Sequence, residues 1–517
     1  MSRPASTNPP RAIVIGAGIG GLAAAMRLGA KGYAVTVLDR LDLPGGRGSS
    51  ITQNGHRFDL GPTIVTVPQT LRQLWAACGR DFDSEVDLRP MEPFYEMRWQ
   101  DGTRFRVNGD AAGMEAEVAR LSPGDLKGYR QFLKDAETRY WFGFEDLGRR
   151  PMNSLWELIK VLPKFAWLRA DRSVHAHAAR LVKDERLRMA LSFHPLFIGG
   201  DPLHVTSMYA LVAHLEKEFG VHYAMGGVQA IARAMARVVS DQGGSLIMGA
   251  EVDEIVTRGG RAAGVRLSDG DVIPADIVIS NADAGHTYSR LLRNHPRRRW
   301  TDAKLRRKRW SSGLFVWYFG TKGTRAMWPD LGHHTILSGP RYTGLLRDIF
   351  IKGRLSEDMS LYIHRPSVTD PSAAPAGDDT FYALSVVPHL GHAGAPDWDE
   401  IGEGYRRRMA KVLEEQVMPG FEARLSASMT LTPEDFRNRY LSPHGAGFSL
   451  EPRILQSAWF RPHNVSEELP GLYLVGAGTH PGAGLPGVIS TAEVLGKLVP
   501  DAPGAPVMAP PLRQAAE

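Results

Sequence analysis

The chain has 517 residues, 43% of them hydrophobic and 23% charged, which suits two or three folded domains of ordinary soluble composition. Its one cysteine, Cys78, excludes an internal disulfide and a cysteine-rich metal centre, and fits a reducing compartment. The net charge of +6 is mild for this length, no apolar run approaches the ~18 residues of a spanning helix, and the polar stretch Met1 to Pro10 is not expected to be a secretory signal.

Residues 1–10 read as a frayed tail. Arg11 to Ile15 is the first expected strand, Gly20 to Gly32 a helix of small residues, and Ala34 to Leu38 a second strand ending at Asp39. Between strand and helix, Gly16, Gly18 and Gly21 match G-x-G-x-x-G. The first glycine permits the tight turn, the second lets backbone approach a pyrophosphate, and the third packs helix on strand. The helix N-terminus favours the anion, and an acid about 20 residues on, here Asp39, accepts ribose hydroxyls. Pro44-Gly45-Gly46-Arg47-Gly48 follows, with glycines for close backbone contact and an arginine that can neutralise phosphate or flavin oxygens.

Residues 85–221 change character and are expected to be helical, rich in Trp, Phe, Leu and Arg. Leu155, Leu158, Ile159, Leu162, Phe165 and Trp167 recur at helical spacing among Arg149, Arg150, Lys160, Lys164, Arg169 and Arg172. That pattern suits a core helix under a substrate domain or an amphipathic helix at a membrane surface, and Pro163 is expected to interrupt it. Residues 222–285 return to α/β style, with a helix from Val228 to Ser240 and strands at 245–248, 252–257, 263–267 and 277–280.

Residues 311–390 read as antiparallel strands with long loops, and Leu314 to Phe319 as a buried strand. Arg293 to Arg309 holds nine basic residues with Trp300 and Trp310 among them and only Asp302 opposing. Three readings stand for it: a solvated helix face, a nucleic-acid patch without its recognition motif, or contact with anionic headgroups. Residues 445–500 close with a second glycine-rich turn, Gly476 to Val488, and 501–517 are expected to be disordered.

Two distant glycine turns of this kind suggest one cofactor gripped by both ends of the chain, which points to a flavin more than to a nicotinamide. A helix after Gly487 would aim its N-terminus at the flavin pyrimidine and stabilise negative charge there. His480, the titratable group inside this motif, is expected to be structural. His175 with His177 and His333 with His334 lack further ligands at useful spacing, so no metal site is expected. No G-x-S-x-G nucleophile elbow is present.

The run from Leu474 to Gly484 resembles the closing signature of bacterial-type phytoene desaturases. So do Phe58 to Thr63, Phe193-His194-Pro195-Leu196, Ser280-Asn281-Ala282-Asp283, Leu314 to Gly320 and Gln456 to Pro462. Gly46 to Ser50 and Trp141-Phe142-Gly143 look closest to the enzymes of purple photosynthetic bacteria. The resemblance implies an α/β architecture. A Rossmann-like FAD-binding domain would be discontinuous (1–84, 222–285, 445–500). A helical lid or membrane-associating region would span 85–221, and a mixed α+β substrate domain 286–444.

It also implies that FAD is held by Gly16, Gly18, Gly20, Gly21, Asp39, Arg40, Gly46, Arg47, Pro62, Thr63, Gly476, Gly478, Pro486, Gly487 and Val488, with Val252 meeting adenine through its backbone. Many relatives have Glu where this chain has Asp39, which keeps the charge. Lys134 and Glu137 stand where some relatives carry an acid and an arginine, so no catalytic side chain is assigned there.

The implied reaction is FAD-dependent desaturation of phytoene to neurosporene in three steps or lycopene in four, by hydride transfer to flavin N5 and proton loss. The likeness to purple-bacterial enzymes favours three. The implied partners are a long apolar carotenoid, a membrane surface met peripherally from the cytoplasm, and oxygen or a quinone as electron acceptor, with no nucleic acid. Rival readings on the same scaffold are an amine or porphyrinogen oxidase, a dehydrogenase of hydroxylated or methoxylated carotenoids, and a non-catalytic prenyl-binding protein. Cys78 lies outside the flavin motifs, which disfavours a cysteine-tethered amine oxidase.

Overall fold

The computed structural model describes residues 8–505; the expected frayed start, up to residue 7, and the expected disordered end, from 506, lie outside the described residues. Within them, Asp501–Ala505 is packed against the body: Ala502 N–H donates to the carbonyl of Lys31 at 2.9 Å, and Lys31 pairs with Asp501. The expected disorder therefore does not begin at 501.

Five short strands make a wholly parallel sheet: β1 (Arg11–Ile15), β2 (Ala34–Asp39), β3 (Ser245–Met248), β4 (Ile277–Ser280) and β5 (Leu472–Leu474), in the order β5-β4-β1-β2-β3. A parallel sheet needs cover on its faces, so β1 and β4 are apolar and buried almost throughout. The helices Ile19–Ala30, Val228–Asp241 and Leu485–Leu498 supply one layer of it, and their Ala, Val and Leu faces close a single core with the sheet. Small residues in Ile19–Ala30 let that helix approach closely; nine of its twelve residues are buried.

A second sheet has seven strands, in the order Leu425–Leu431, Gly313–Thr321, Asp379–Val387, Leu361–His364, His334–Ser338, Tyr95–Trp99 and Arg104–Val107. All its pairs are antiparallel but one, His334–Ser338 with Tyr95–Trp99. The last two strands correct the helical expectation for 85–221. Their alternating residues flank an Asp101-Gly102 turn with Gly102 at φ +81°, a hairpin signal written in the sequence. Helices follow only from Ala111 onward.

Gly313–Thr321 is buried along its whole length because both of its faces are used. Phe315, Trp317 and Phe319 pack toward the helix Trp398–Gln416, whereas Leu314, Val316 and Tyr318 point the other way with Phe58 and Leu60. The helix Leu155–Trp167 runs unbroken through Pro163. The N–H that proline lacks would have reached the carbonyl of Ile159, a half-exposed residue on the open side, so the gap falls where it costs least.

Candidate functional site

The parallel sheet brings the two glycine turns together at one edge, because β4 lies between β1 and β5. Asn281, the first residue after β4, is the peg between them. Its Nδ2 donates to the carbonyl of Gly16 at 3.3 Å. A Cβ on Gly20 would lie 2.7 Å from Asn281 Oδ1 and 3.1 Å from Gly476 Cα, and one on Gly476 would lie 2.6 Å from the same oxygen. A Cβ on Gly21 would sit 2.0 Å from the Gly16 carbonyl, the close helix–turn contact expected of the third glycine. Gly16 and Gly476 hold φ of +96° and +93°, open to glycine at little cost. The third segment joins through Gly45 N–H, which donates to Ala17 at 2.8 Å.

Asp39 ends β2 beside this cradle. Its carboxylate accepts from Ala17 N–H at 2.7 Å and Leu41 N–H at 2.8 Å, and burial pushes its pKa up against those bonds. The helices Ile19–Ala30 and Leu485–Leu498 start at Gly18 and Gly484, which offer no capping side chain. Their first N–H groups are thus left for an anion or an electron-rich ring. The second helix begins at Leu485, not after Gly487, so Pro486, Gly487 and Val488 form its first turn.

One continuous cavity of about 1030 Å³ opens from the cradle. Gly16, Gly18, Gly20, Asp39, Arg40, Gly46, Arg47, Pro62, Thr63, Val252, Gly476, Pro486, Gly487 and Val488 line it; Gly21 and Gly478 stand behind its wall. A Cβ on Gly478 would meet Ser449 and Ala284, which makes it a packing glycine. Arg40 spends its guanidinium on the carbonyls of Asn438 and Arg439 and on Glu251. Arg47 is partly buried, hydrogen-bonded to Ser442 Oγ and stacked near Tyr440, and its Nε has no partner. Glycine backbone, an acid at the end of β2 and a partly buried cation with an open donor form a donor set that fits a flavin dinucleotide.

Away from the cradle the walls turn apolar. Leu314, Val316, Ile336, Leu384 and Val386 come from the large sheet, and Leu158, Leu162 and Phe165 from the helix Leu155–Trp167. Thr63 Oγ1 bonds Tyr362 and Tyr382 hydroxyls at 2.9 and 3.0 Å where the two parts meet.

The chain matches the flavin containing amine oxidoreductase family over residues 19–493. It belongs to that family. It is 70% identical to the neurosporene-forming phytoene desaturase of Cereibacter sphaeroides over 97% of this chain and 96% of that one. It is 44% identical to a lycopene-forming phytoene desaturase of a Paracoccus species over 94% of this chain and 97% of the relative. An oxidoreductase from Methanosarcina mazei of known structure shares the fold, with a TM-score of 0.65 at 20% identity over 94% of this chain and all of the other. The protein is an FAD oxidoreductase of the bacterial-type phytoene desaturase branch.

Other expected features fall into place around this site. His480 is buried and gives its Nε2 to the carbonyls of Leu147 and Arg150 at 3.0 and 3.1 Å, the structural role read from sequence; burial lowers its pKa to about 4. Cys78 sits apart from the cavity against Met26, its thiol pushed up to about 11 by burial. His333 and His334 do gain a third imidazole, His364, which sequence distance hid; the three ring nitrogens lie within 4.8 Å. His333 and His364 bond each other through Nε2 at 2.9 Å, and the charged neighbour of His364 is Arg57, not a carboxylate.

Trp300 and Trp310 correct a further expectation. Both are buried, so neither is placed at an interface. Trp300 N–H groups are held by Glu467 and Glu468, Arg297 pairs with Asp302, and Arg299 with Glu467. The backbone N–H groups of Arg298, Arg299 and Trp300 clasp Glu468 of the closing segment, while Arg293, Arg298, Arg306, Arg307 and Arg309 stay exposed.

Proposed function

We propose that the protein desaturates phytoene to neurosporene in three steps, with FAD held by the residues that resemblance assigns and that line or back the cavity. The observation that carries this reading is the single cavity running from the glycine cradle into an apolar channel. Phytoene is a long hydrocarbon without a hydrogen-bonding group, so it needs a channel walled mainly by apolar side chains. When bound, the flavin supplies a two-electron acceptor. The protein supplies position and dryness: Leu314, Val316 and Val386 form one wall, and the aromatic rings of Phe197 and Tyr362 stand between channel and cradle. The neurosporene product is favoured by relatives at 70% and 68% identity that form it.

The helix Leu155–Trp167 is the proposed lid and membrane contact. Its inner face lines the channel, while Leu155, Trp156, Ile159 and Trp167 form an outward stripe, with Trp156 62% and Trp167 65% exposed. Lys160 and Lys164 stand by those tryptophans, the composition of a helix lying on an anionic bilayer. A substrate dissolved in lipid would then pass under this helix into the channel. None of the helices, among the described residues, is long and apolar enough to cross a membrane. Oxygen or a membrane quinone would take the electrons on.

Incubating FAD-loaded protein with phytoene in liposomes under air, and following the polyene spectrum, tests the reading. Neurosporene is expected; lycopene would require a fourth step, and unchanged phytoene would overturn the assignment.

A further inference from the structure

Among the described residues, one group of three metal-ligating side chains stands together, and neither the cradle nor the channel uses it: His333, His334 and His364. The large sheet makes the group. His334 opens the strand His334–Ser338, His364 closes the strand Leu361–His364, and the two are direct partners in that antiparallel pair. Direct partners put their side chains on one face, with Cβ atoms about 5 Å apart. His333 lies one residue before its strand, where its carbonyl accepts from Arg365 N–H at 2.8 Å, and its ring packs against both others. The three ring centroids are 4.3, 4.8 and 5.4 Å apart, and one nitrogen of each ring lies within 4.8 Å of the other two. Two imidazoles bound to one tetrahedral ion at ~2.0–2.1 Å have their centroids roughly 5 Å apart. The rings therefore already have the spacing of ligands to a shared ion.

Their hydrogen bonds divide outer from inner nitrogens. His333 Nδ1 lies 2.7 Å from Thr369 Oγ1, and His334 Nδ1 lies 2.7 Å from the Tyr362 hydroxyl. An Nδ1–H that donates to an oxygen leaves Nε2 bare, and such an outer partner is what orients a ligating histidine. The inner nitrogens are under-used. His334 Nε2 is buried without a partner, and His333 and His364 share a single contact, Nε2 to Nε2 at 2.9 Å. Burial holds all three imidazoles below their ordinary pKa, so they are neutral, the form that ligates. Arg57, the cation beside His364, is balanced by Asp370 at 2.6 Å, and Asp59, buried near Arg57 and Tyr362, adds a negative charge above about pH 6.

We propose that His333, His334 and His364 bind one Zn2+ through their Nε2 atoms, with water in the fourth position, as a clip between two neighbouring strands. Neutral imidazoles suit Zn2+, whereas Ca2+ and Mg2+ take oxygen ligands. Both strands belong to the sheet that walls the channel, and the clip reaches the cradle through hydrogen bonds. With His334 Nε2 on the ion, its Nδ1–H donates to Tyr362, and the Tyr362 hydroxyl donates to Thr63 Oγ1 at 2.9 Å. The ion thus fixes the direction of that chain. It enters as the strands pair during folding, or past Thr369, which is half-buried next to the exposed Val368. None of the three histidines lines the cavity, so the site stands independently of what the enzyme oxidises.

The test uses full-length, FAD-loaded protein expressed in zinc-supplemented medium and purified without a chelator or a polyhistidine tag. Zinc per chain is counted by mass spectrometry after gel filtration for wild type, His334→Gln, His364→Gln and His175→Gln. About one zinc per chain is expected for wild type and for His175→Gln, which lies outside the group. The two variants within the group should hold less than about a tenth of that, since loss of even an outer partner costs 10–100-fold in affinity. Should either variant fail to fold, X-ray absorption at the zinc edge of the wild type decides, with imidazole nitrogens expected at about 2.0–2.1 Å. Wild type that emerges from gel filtration without zinc, equal zinc in His334→Gln and His364→Gln, or a shell of oxygens alone would each overturn the proposal.

Discussion

The two ends of the cavity are built on opposite plans. At the cradle, almost nothing but backbone faces the space: glycines at two turns, pegged by Asn281, with one buried acid and one partly buried cation. In the channel, side chains do the work, drawn from alternate positions of strands and from one helix face. The cradle must meet a ligand rich in hydrogen-bonding groups at fixed points, and backbone gives such points without rotamer freedom. The channel must admit a featureless chain and let it slide, which apolar surface allows. The difference teaches that the cradle should fail abruptly when altered and the channel by degrees.

The sharpest way to break that contrast is Gly21→Val. Its Cβ has no room beside the Gly16 carbonyl, so the turn must move and the purified protein is expected to be colourless, with FAD content under about a tenth of wild type by absorbance. Retained colour would mean that the turn does not hold the cofactor. The next largest effect belongs to the outer stripe of the helix Leu155–Trp167, the proposed lid. Replacing Trp156, Ile159 and Trp167 by Ser should weaken binding to anionic vesicles by about 100-fold in a sedimentation assay while leaving FAD bound, since those side chains face away from the core. Equal binding would remove the helix from the membrane.

A smaller effect probes the join between the two ends. Asp59 is buried beside Arg57 and Tyr223, and burial raises its pKa to about 6. The folded state thus binds this proton more tightly than the unfolded chain, where the pKa is about 3.9. Its contribution to stability is full below about pH 4 and is lost as pH rises through 6. Asp59→Asn should therefore be more stable than wild type by roughly 2 kcal/mol at pH 7.5 in urea unfolding, with the gap shrinking at pH 5. A gap that grows on acidification would contradict this environment.

The same contrast decides what could be read from sequence. The cradle is written locally: glycine spacing, the acid at the end of the second strand, and Gly476 to Val488 each carry their chemistry within a dozen residues or so. The partner that joins the turns, Asn281, carries no local sign of that role, because it meets Gly16 across 265 positions. The Tyr95–Val107 hairpin had a local signal in Asp101-Gly102 and alternating residues that the helical expectation overrode. Burial of Trp300 depends on Glu467 and Glu468, far along the chain, so nothing local in the basic run marks that tryptophan as buried. His364 joining His333 and Glu216 joining His194 are likewise products of folding, invisible to spacing.

The account stands most directly on anaerobic mixing of FAD-loaded protein with phytoene in liposomes while flavin absorbance is followed. It expects bleaching of the flavin with one new double bond formed per flavin reduced. A flavin that stays oxidised over intact phytoene, with the substrate demonstrably bound, would contradict it.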